Sequence, residues 1–234
     1  MPFSPTATLQ ELLDLAAQKY TVEFENVGIA GRTLRILQIA DMRERLDSLI
    51  AAGALNDALQ NLPLWAKIWP ASLALAHALN AREDKGSLLE IGAGCGVVGL
   101  AAAACGFRRV VVSDINDDAL LFARINVLQN DLADRVEVVR LDICDPEPPT
   151  GFDLVAGAEI LYLEDLYRPL VKFLCRAKAP ETILASDHRR FPKRFFKLAE
   201  KEFTLGHKQL GLRAKGDDDT EKHLITLHRL TPKS

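Results

Sequence analysis

The sequence has few cysteines, and none of them is arranged for metal binding or cross-linking. Only four of the 234 residues are cysteine, with no C-x-x-C pair and no histidine at ligand spacing. They are Cys95, Cys105, Cys144 and Cys175. A structural zinc site and a disulfide framework are therefore not expected, and no metal is predicted. We interpret these cysteines as small buried side chains of a protein that works in a reducing compartment.

The chain also lacks a strong charge of either sign and any long apolar run. Its formal net charge is −3, so no basic field draws it towards nucleic acid or an anionic membrane. No run approaches the roughly 18 apolar residues of a membrane span, and the first residues lack the basic and apolar regions of a signal peptide. We expect a cytoplasmic protein without a membrane partner, and nucleic acid is disfavoured as a substrate.

Apolar residues make up 48% of the chain, enough to cover both faces of a sheet in one domain. The N-terminal part predicts an amphipathic helix over residues 4–18, capped by Ser4 or Thr8, and a β-hairpin with strands at 21–25 and 32–39. Helical structure is expected over 42–60. We predict that residues 1–60 form an extension and residues 61–234 the main domain.

The main domain alternates strand and helix patterns, as a doubly wound sheet should. Apolar runs predict strands at 87–91, 109–113, 136–140, 152–156 and 182–186. Helices are predicted at 71–79, 97–104, 117–129, 163–176 and 192–202. Two β segments, 203–210 and 223–230, flank an acidic run at 217–219 and form an antiparallel edge pair. The predicted fold class is α/β, with a Rossmann-like, doubly wound sheet of seven strands and an N-terminal helix and hairpin.

The most informative segment is residues 88–100, LLEIGAGCGVVGL, which predicts a buried strand, a glycine turn and the start of a helix. Glycine lets backbone approach a ligand closely, because it tolerates positive φ and has no Cβ. Residues 94–99 fit the dinucleotide pattern G-x-G-x-x-G, in which a pyrophosphate lies on the helix N-terminus. Glu90, just before the glycines, would be a poor neighbour for a pyrophosphate and a good one for a cation. Asp114, at the end of the next strand, can accept hydrogen bonds from ribose hydroxyls in either class of cofactor.

Residues 90–96, EIGAGCG, resemble the E-x-G-x-G-x-G signature of class I S-adenosylmethionine-dependent methyltransferases. The resemblance implies S-adenosylmethionine as cofactor and S-adenosylhomocysteine as its product. It places the glycines against the methionine moiety, Glu90 near its ammonium, Asp114 at the ribose and Asp142 at the adenine. Asp142 could instead be a turn residue that caps its own loop. The predicted cofactor-binding residues are Trp69, Glu90, Gly92, Ala93, Gly94, Gly96, Asp114, Ile115, Asn116, Asp142, Ile143 and Ala158.

Glu159 and Tyr162 follow the next strand and are the predicted catalytic residues. Ligands of open α/β sheets lie at the carboxyl ends of the strands, so both side chains should overhang the methyl-donor end of the site. A carboxylate can draw in a lysine ammonium, and a water-excluding pocket lowers the lysine pKa so that the neutral amine can attack. Glu159 could instead cap the following helix.

The order of these motifs resembles the seven-β-strand protein-lysine methyltransferases that modify chaperones and the electron-transfer flavoprotein β subunit. That family usually carries D-x-x-Y or D-x-x-F after this strand, where the present chain has E-x-x-Y at 159–162. The resemblance also implies that Trp69 borders the cofactor, with Trp65 second and plain core packing as the alternative. The basic segment 187–190 is interpreted as a solvated loop, with orientation of an acidic patch on the substrate as the alternative.

The predicted function is therefore S-adenosylmethionine-dependent methylation of a lysine side chain in a partner protein. A small-molecule or RNA methyltransferase on the same fold remains an alternative. The N/D-P-P-Y/F motif typical of nucleobase or glutamine methylation is absent from the sequence. A module that binds cofactor or partner without catalysis is the alternative of a different class.

Overall fold

The computed structural model describes residues 3–29, 31–40, 42, 51, 63–213 and 222–233. Apart from residues 42 and 51, the predicted helix over 42–60 lies outside the described residues, and so does the acidic run at 217–219. The chain begins with helix α1 (Leu9–Ala17) and strands β1 (Val22–Ile29) and β2 (Arg32–Ile39). Thr8 caps α1 in a reciprocal capping box with Glu11. The two strands form the predicted antiparallel hairpin, as a two-stranded sheet of their own.

The main sheet contains the other described strands. They are β3 (Ser87–Ile91), β4 (Arg109–Asp114), β5 (Val136–Arg140), β6 (Leu154–Ala158), β7 (Glu181–Asp187), β8 (Phe203–Arg213) and β9 (Lys222–Pro232). Their order across the sheet is β5-β4-β3-β6-β7-β9-β8, which confirms the predicted seven strands. Strands β3 to β7 pair in parallel, whereas β9 pairs antiparallel with β7 and β8. The order reverses between β3 and β6, which is the switch point where open α/β sheets bind ligands.

Helices cover both faces of this sheet. They are α2 (Pro70–Asn80), α3 (Val97–Ala104), α4 (Asp117–Gln129), α5 (Tyr167–Ala177) and α6 (Lys193–Ala199), with 3-10 turns at Leu64–Ala66 and Glu164–Leu166. Alternate strand residues enter different cores, because successive side chains of a strand point to opposite faces. Leu88 and Val110 join the core under α2, α3 and α4, whereas Leu89 and Val111 join the core under α5 and α6. The N-terminal helix and hairpin share the first of these cores. The division at residue 60 stays a prediction.

Among the strands that differ from their predicted bounds, β1 runs to Ile29 rather than to residue 25, and β6 spans 154–158 rather than 152–156. Asp153 explains the late start of β6, because its carboxylate accepts hydrogen bonds from Ser87 N and Ser87 Oγ at 2.6 and 2.8 Å. Gly157 and Ala158 extend the strand because they pair with Leu184 and Ala185 of β7. The sequence pattern missed this extension, since neither residue has a strong strand preference.

A polar cluster of Ser186, His228 and His207, the first two of them buried, joins the three strands β7, β9 and β8. The Ser186 Oγ and His228 Nε2 atoms are 2.9 Å apart, and the Nδ1 atoms of His228 and His207 are also 2.9 Å apart. His228 is fully buried, and burial together with the neighbouring His207 lowers the pKa of His228 to about 4. The neutral imidazole is therefore the form that this cluster holds near pH 7.

Candidate functional site

The glycine loop between β3 and α3 has the positive φ angles that its glycines predict. Gly92, Gly94 and Gly96 have φ angles of 59°, 56° and 82°, values that disfavour any residue with a Cβ. A Cβ on Gly94 would stand 2.4 Å from Trp65 O, and one on Gly92 would stand 2.7 Å from a methyl of Ile160. The loop therefore needs glycine for close packing against its own protein as well as for its backbone conformation.

Glu90 lies behind this loop and is 2% exposed. Its Oε2 atom accepts a hydrogen bond from Gly99 N at 2.7 Å, in the first turn of α3. Burial raises the pKa of Glu90 to about 8, although the backbone N–H groups of Gly99 and Val98 act in the opposite direction. The structure thus assigns Glu90 to the start of α3, and its contact with a ligand ammonium stays a prediction.

Asp114 connects the glycine loop with the loop that follows β4. Its Oδ2 atom accepts from Gly94 N at 2.8 Å, and its Oδ1 atom accepts from Asn116 N at 2.9 Å. The carboxylate is partly exposed, and each oxygen has a second lone pair with which to accept from a hydroxyl. Ile115 beside it is 51% exposed, so a large apolar surface adjoins the acid. Asn116 caps α4 by accepting from two of its first N–H groups.

Asp142 follows β5, on the far side of Asp114 from the glycine loop. Its Oδ1 atom accepts from Cys144 N at 2.8 Å, which is the turn geometry that we considered as the alternative. Leu141 N donates to Asp114 O at 3.0 Å, so the two acidic loops are directly joined. Ile143 is partly buried and packs on the core under α5 and α6. The turn role of Asp142 is therefore observed, and its contact with an adenine stays a prediction.

Glu159 follows Ala158, the last residue of β6, and has the left-handed φ of 54° that non-glycine residues rarely adopt. Its N–H donates to Ala185 O at 2.8 Å, and its Oε1 atom accepts from Asp187 N at 2.9 Å. Both bonds fasten it to the end of β7 rather than to the following helix, so the capping alternative is not what the structure shows. Burial raises the pKa of Glu159. An unusual backbone conformation with a partly buried carboxylate is typical of functional positions.

Tyr162 lies on the same loop, with 64% of its surface exposed. Partial desolvation of the phenol, together with the negative charge of Asp114, raises the pKa of Tyr162. Because Tyr162 follows the carboxyl end of β6, it lies at the same edge of the sheet as the glycine loop and Asp114.

The loop after β7 is solvent-exposed at residues 188–190, as we predicted, and it also contains an ion pair. Arg189 binds the carboxylate of Asp187 through Nε and Nη2, at 3.0 and 2.7 Å. These bonds lower the pKa of Asp187 to about 2. Because Asp187 N donates to Glu159, the Arg189–Asp187 pair is linked through Asp187 to the carboxylate of Glu159. No sequence pattern pointed to this link, which depends on the pairing of β6 with β7.

Trp65 contacts the glycine loop, whereas Trp69 hydrogen-bonds within its own segment. Cys95 N donates to Trp65 O at 3.0 Å, so the backbone of Trp65 holds the loop directly. Trp69 donates from Nε1 to Leu64 O at 3.1 Å, and Lys67 Nζ lies over its ring at 4.7 Å from the centroid. Trp69 is partly exposed, and its border with a cofactor stays a prediction.

Large apolar side chains are exposed at this edge of the sheet. Of five such residues in the described part of the chain, four follow the carboxyl ends of parallel strands. These four are Ile115 after β4, Tyr162 and Leu163 after β6, and Phe191 after β7. We call Tyr162, Leu163 and Phe191 the apolar rim. An ion pair between Glu164 of the 3-10 turn after Leu163 and Arg194 of α6 joins the segments that follow these loops.

Across the sheet, the site residues follow the strand order. The acids Asp142 and Asp114 and the glycine loop follow β5, β4 and β3, whereas Glu159 and the apolar rim follow β6 and β7. A family model described as lysine methyltransferase matches residues 55–202, more than half of the chain. The chain belongs to the lysine methyltransferase family. This membership confirms the resemblance that the sequence motifs indicated.

Individual relatives agree with the family. The protein N-lysine methyltransferase METTL21A of Xenopus tropicalis is 32% identical, over 62% of this chain and 72% of its own length. The electron transfer flavoprotein beta subunit lysine methyltransferase of Rattus norvegicus is 27% identical, over 70% of this chain and 64% of its own. In fold, the chain is similar to the tRNA (uracil-54, C5)-methyltransferase of Pyrococcus abyssi in complex with S-adenosyl-L-homocysteine. That likeness has a TM-score of 0.53 and 21% identity, over 68% of this chain and 38% of that one.

S-adenosylmethionine is the cofactor of this methyltransferase, and the dinucleotide alternative is set aside. The donor set fits it, since Asp114 offers acceptor oxygens for hydroxyls beside the exposed apolar surface of Ile115. Among the described residues, no group of three or more His, Cys, Asp or Glu side chains could hold a metal ion. No described helix is long and apolar enough to cross a bilayer.

Proposed function

We propose that this protein transfers a methyl group from S-adenosylmethionine to the side-chain nitrogen of a lysine in another protein. The observation that carries the proposal is Glu159, a partly buried carboxylate fixed at the end of β6 beside the glycine loop. Membership in the lysine methyltransferase family and the names of the relatives support the same acceptor.

On the donor side, we propose that the residues after β5, β4 and β3 hold the cofactor in an extended form. Asp142 and Ile143 would lie at the adenine, Asp114 at the ribose, and the loop of Gly92, Gly94 and Gly96 at the methionine part. Ala93, Ile115, Asn116, Ala158 and Trp69 would line this path. When bound, the cofactor supplies a methyl group on a sulfonium, which an uncharged amine can attack.

On the acceptor side, Glu159 would receive the incoming lysine. Its Oε1 atom is held by Asp187 N, and no bond to its Oε2 atom is found among the described residues, so that oxygen can accept from an ammonium. The lysine must then lose a proton to become a nucleophile, and a carboxylate whose pKa is raised by burial is a better proton acceptor than an ordinary one. Tyr162 would close the pocket and exclude water. Alignment and desolvation are the main contributions of such a site.

The apolar rim supports a protein acceptor. Exposed aromatic and aliphatic side chains beside a reaction centre are typical of sites that bind another protein. The loop from Glu159 to Leu166 carries three carboxylates and no cation, which complements a cationic lysine. A small polar acceptor would gain little from such a rim.

We further propose that the protein acts in the cytoplasm. The four cysteines of the chain are free, but the interpretation of all four as buried side chains is wrong, since only Cys95 is buried and Cys144 and Cys175 are exposed. Exposed thiols persist in a reducing compartment.

The test begins with calorimetric titration of the purified protein with S-adenosylmethionine. The protein is then incubated with a protein extract and isotopically labelled methyl donor, and mass spectrometry locates the label. We expect saturable binding and label on lysine, lost in Glu159→Gln and retained in Glu83→Gln, an exposed acid that precedes β3 at the opposite edge of the sheet. Both variants should bind the cofactor as the wild type does.

Other results would favour the alternatives. Label in an RNA or small-molecule fraction, with none in protein, would contradict the proposed acceptor. Cofactor binding without transfer to any fraction would indicate a binding module. Equal labelling by Glu159→Gln and the wild type would remove Glu159 from the mechanism.

A further inference from the structure

The backbone of Cys95, at the centre of the glycine loop, is held from two sides. Its N–H donates to Trp65 O at 3.0 Å, and its carbonyl accepts from Asn126 Nδ2 at 2.9 Å. Asn126 belongs to α4 and is fully buried. Two residues distant in sequence therefore fix the peptide groups of the loop that holds the methionine part of the cofactor.

Asn126 continues from the loop to the N-terminal hairpin. Its Oδ1 atom accepts from Leu37 N of β2 at 2.7 Å, in a buried bond. One orientation of the side-chain amide satisfies both contacts, because a backbone N–H needs the oxygen and a backbone carbonyl needs the NH2 group. One side chain thus bridges the hairpin and the glycine loop.

Trp65, the other partner of Cys95, is also supported from the N-terminal part. The rings of Tyr20 and Trp65 meet edge to face with centroids 5.9 Å apart, and both pack on Phe122 of α4. The hydroxyl of Tyr20 donates to Asp118 at 2.8 Å. Both restraints on the loop are therefore supported by residues that precede β3 by more than 45 positions.

From this geometry we propose that the N-terminal hairpin is part of the methyl-donor site. Asn126 is the positioning residue through which β2 holds the glycine loop in its binding conformation. A loop that is already ordered before the cofactor binds does not lose conformational entropy on binding. Loss of the Asn126 bridge should therefore weaken cofactor binding. The inference rests on S-adenosylmethionine being the ligand of this loop.

Asn130 provides a matched control, because it lies one helical turn further along α4. Its side chain accepts from Arg35 N at 2.9 Å and donates to Arg35 O at 2.8 Å. It also donates to the backbone carbonyl of Asn126 at 2.8 Å. Asn130 therefore joins α4 to β2 as well, but none of these bonds reaches the glycine loop or the side chain of Asn126. A second control, Leu230→Ala, opens a cavity in the core under α5 and α6 and loses stability without touching hairpin or loop.

The experiment measures the dissociation constant of S-adenosylmethionine by calorimetry for Asn126→Ala, Asn130→Ala and Leu230→Ala. We expect about a tenfold increase for Asn126→Ala and less than about a twofold change for either control. Labelling of Cys95 by a thiol reagent, followed by peptide mass spectrometry, should also become faster in Asn126→Ala alone, because Cys95 is 2% exposed in the intact loop.

The wild-type protein provides a measurement that does not depend on a variant folding. Because coupling between two sites is reciprocal, S-adenosylmethionine should slow hydrogen exchange of the Leu37 amide more than that of the Arg35 amide. Equal affinities of Asn126→Ala and wild type, or a Leu37 amide unaffected by cofactor, would overturn the inference. If the wild type bound no S-adenosylmethionine, the proposed function itself would fail instead.

Discussion

Replacing Phe191 with alanine tests whether the apolar rim binds the acceptor protein. Phe191 is 46% exposed, and its ring rests on Phe196 with centroids 4.9 Å apart. A phenylalanine buries about 200 Å² when fully covered, so a partner that covered the exposed part would bury about 90 Å². At about 25 cal/mol per Å² this is about 2 kcal/mol, or about a 30-fold loss in affinity.

The assay uses the acceptor protein identified by methyl labelling and measures kcat/KM for Phe191→Ala and Leu163→Ala. The loss should appear in KM for the acceptor, because contacts remote from the reacting atoms stabilise ground and transition state alike. Leu15→Ala is the matched control, since Leu15 is 37% exposed but lies on α1. It should leave kcat/KM unchanged.

Two results would refute this reasoning. If Phe191→Ala kept kcat/KM within about twofold of the wild type, the rim would not contact the acceptor, since the expected loss is about 30-fold. If it weakened S-adenosylmethionine binding by a similar factor, its role would lie at the donor. Calorimetry with the cofactor alone separates these cases.

Three further predictions concern buried or strained groups. Gly94→Ala places a Cβ 2.4 Å from Trp65 O. It should therefore lose more stability and cofactor affinity than Gly151→Ala, because Gly151 also has a positive φ but no atom lies within 4 Å of its added Cβ. Urea melts measure the stability of the two variants, and calorimetry measures their affinity. Burial raises the pKa of Glu90 from 4.5 to about 8, so the folded state holds an extra proton between those values. Wild-type stability should therefore fall, relative to Glu90→Gln, by up to about 1.4 kcal/mol per pH unit as pH rises through that window. The pKa of His228 is lowered from 6.5 to about 4, so the unfolded state binds the extra proton there. Wild-type stability should fall, relative to His228→Gln, as pH drops from about 6.5 to 4; parallel curves in urea melts would contradict either assignment.

The local parts of the fold could be predicted from sequence. The strand, glycine turn and helix of residues 87–104 lie where apolar runs and glycines placed them, and the same holds for α4. Asp114 and Glu159 could be assigned to the carboxyl edge because parallel strands present their ends together. The C-terminal limit of β6 could not be predicted from sequence, since pairing with β7 brings Gly157 and Ala158 into the strand.

The amino-acid sequence by itself determined the order of strands and helices, the glycine loop and the acids at the strand ends. These depend on backbone preference and on periodicity, which act over a few residues. The tertiary structure alone decided that Glu90 points into the start of α3, that Asn126 bridges hairpin and loop, and that Glu164 pairs with Arg194. Those contacts join residues far apart in the chain, and hydrogen bonds between buried groups form only once packing has excluded water and left each group one available partner.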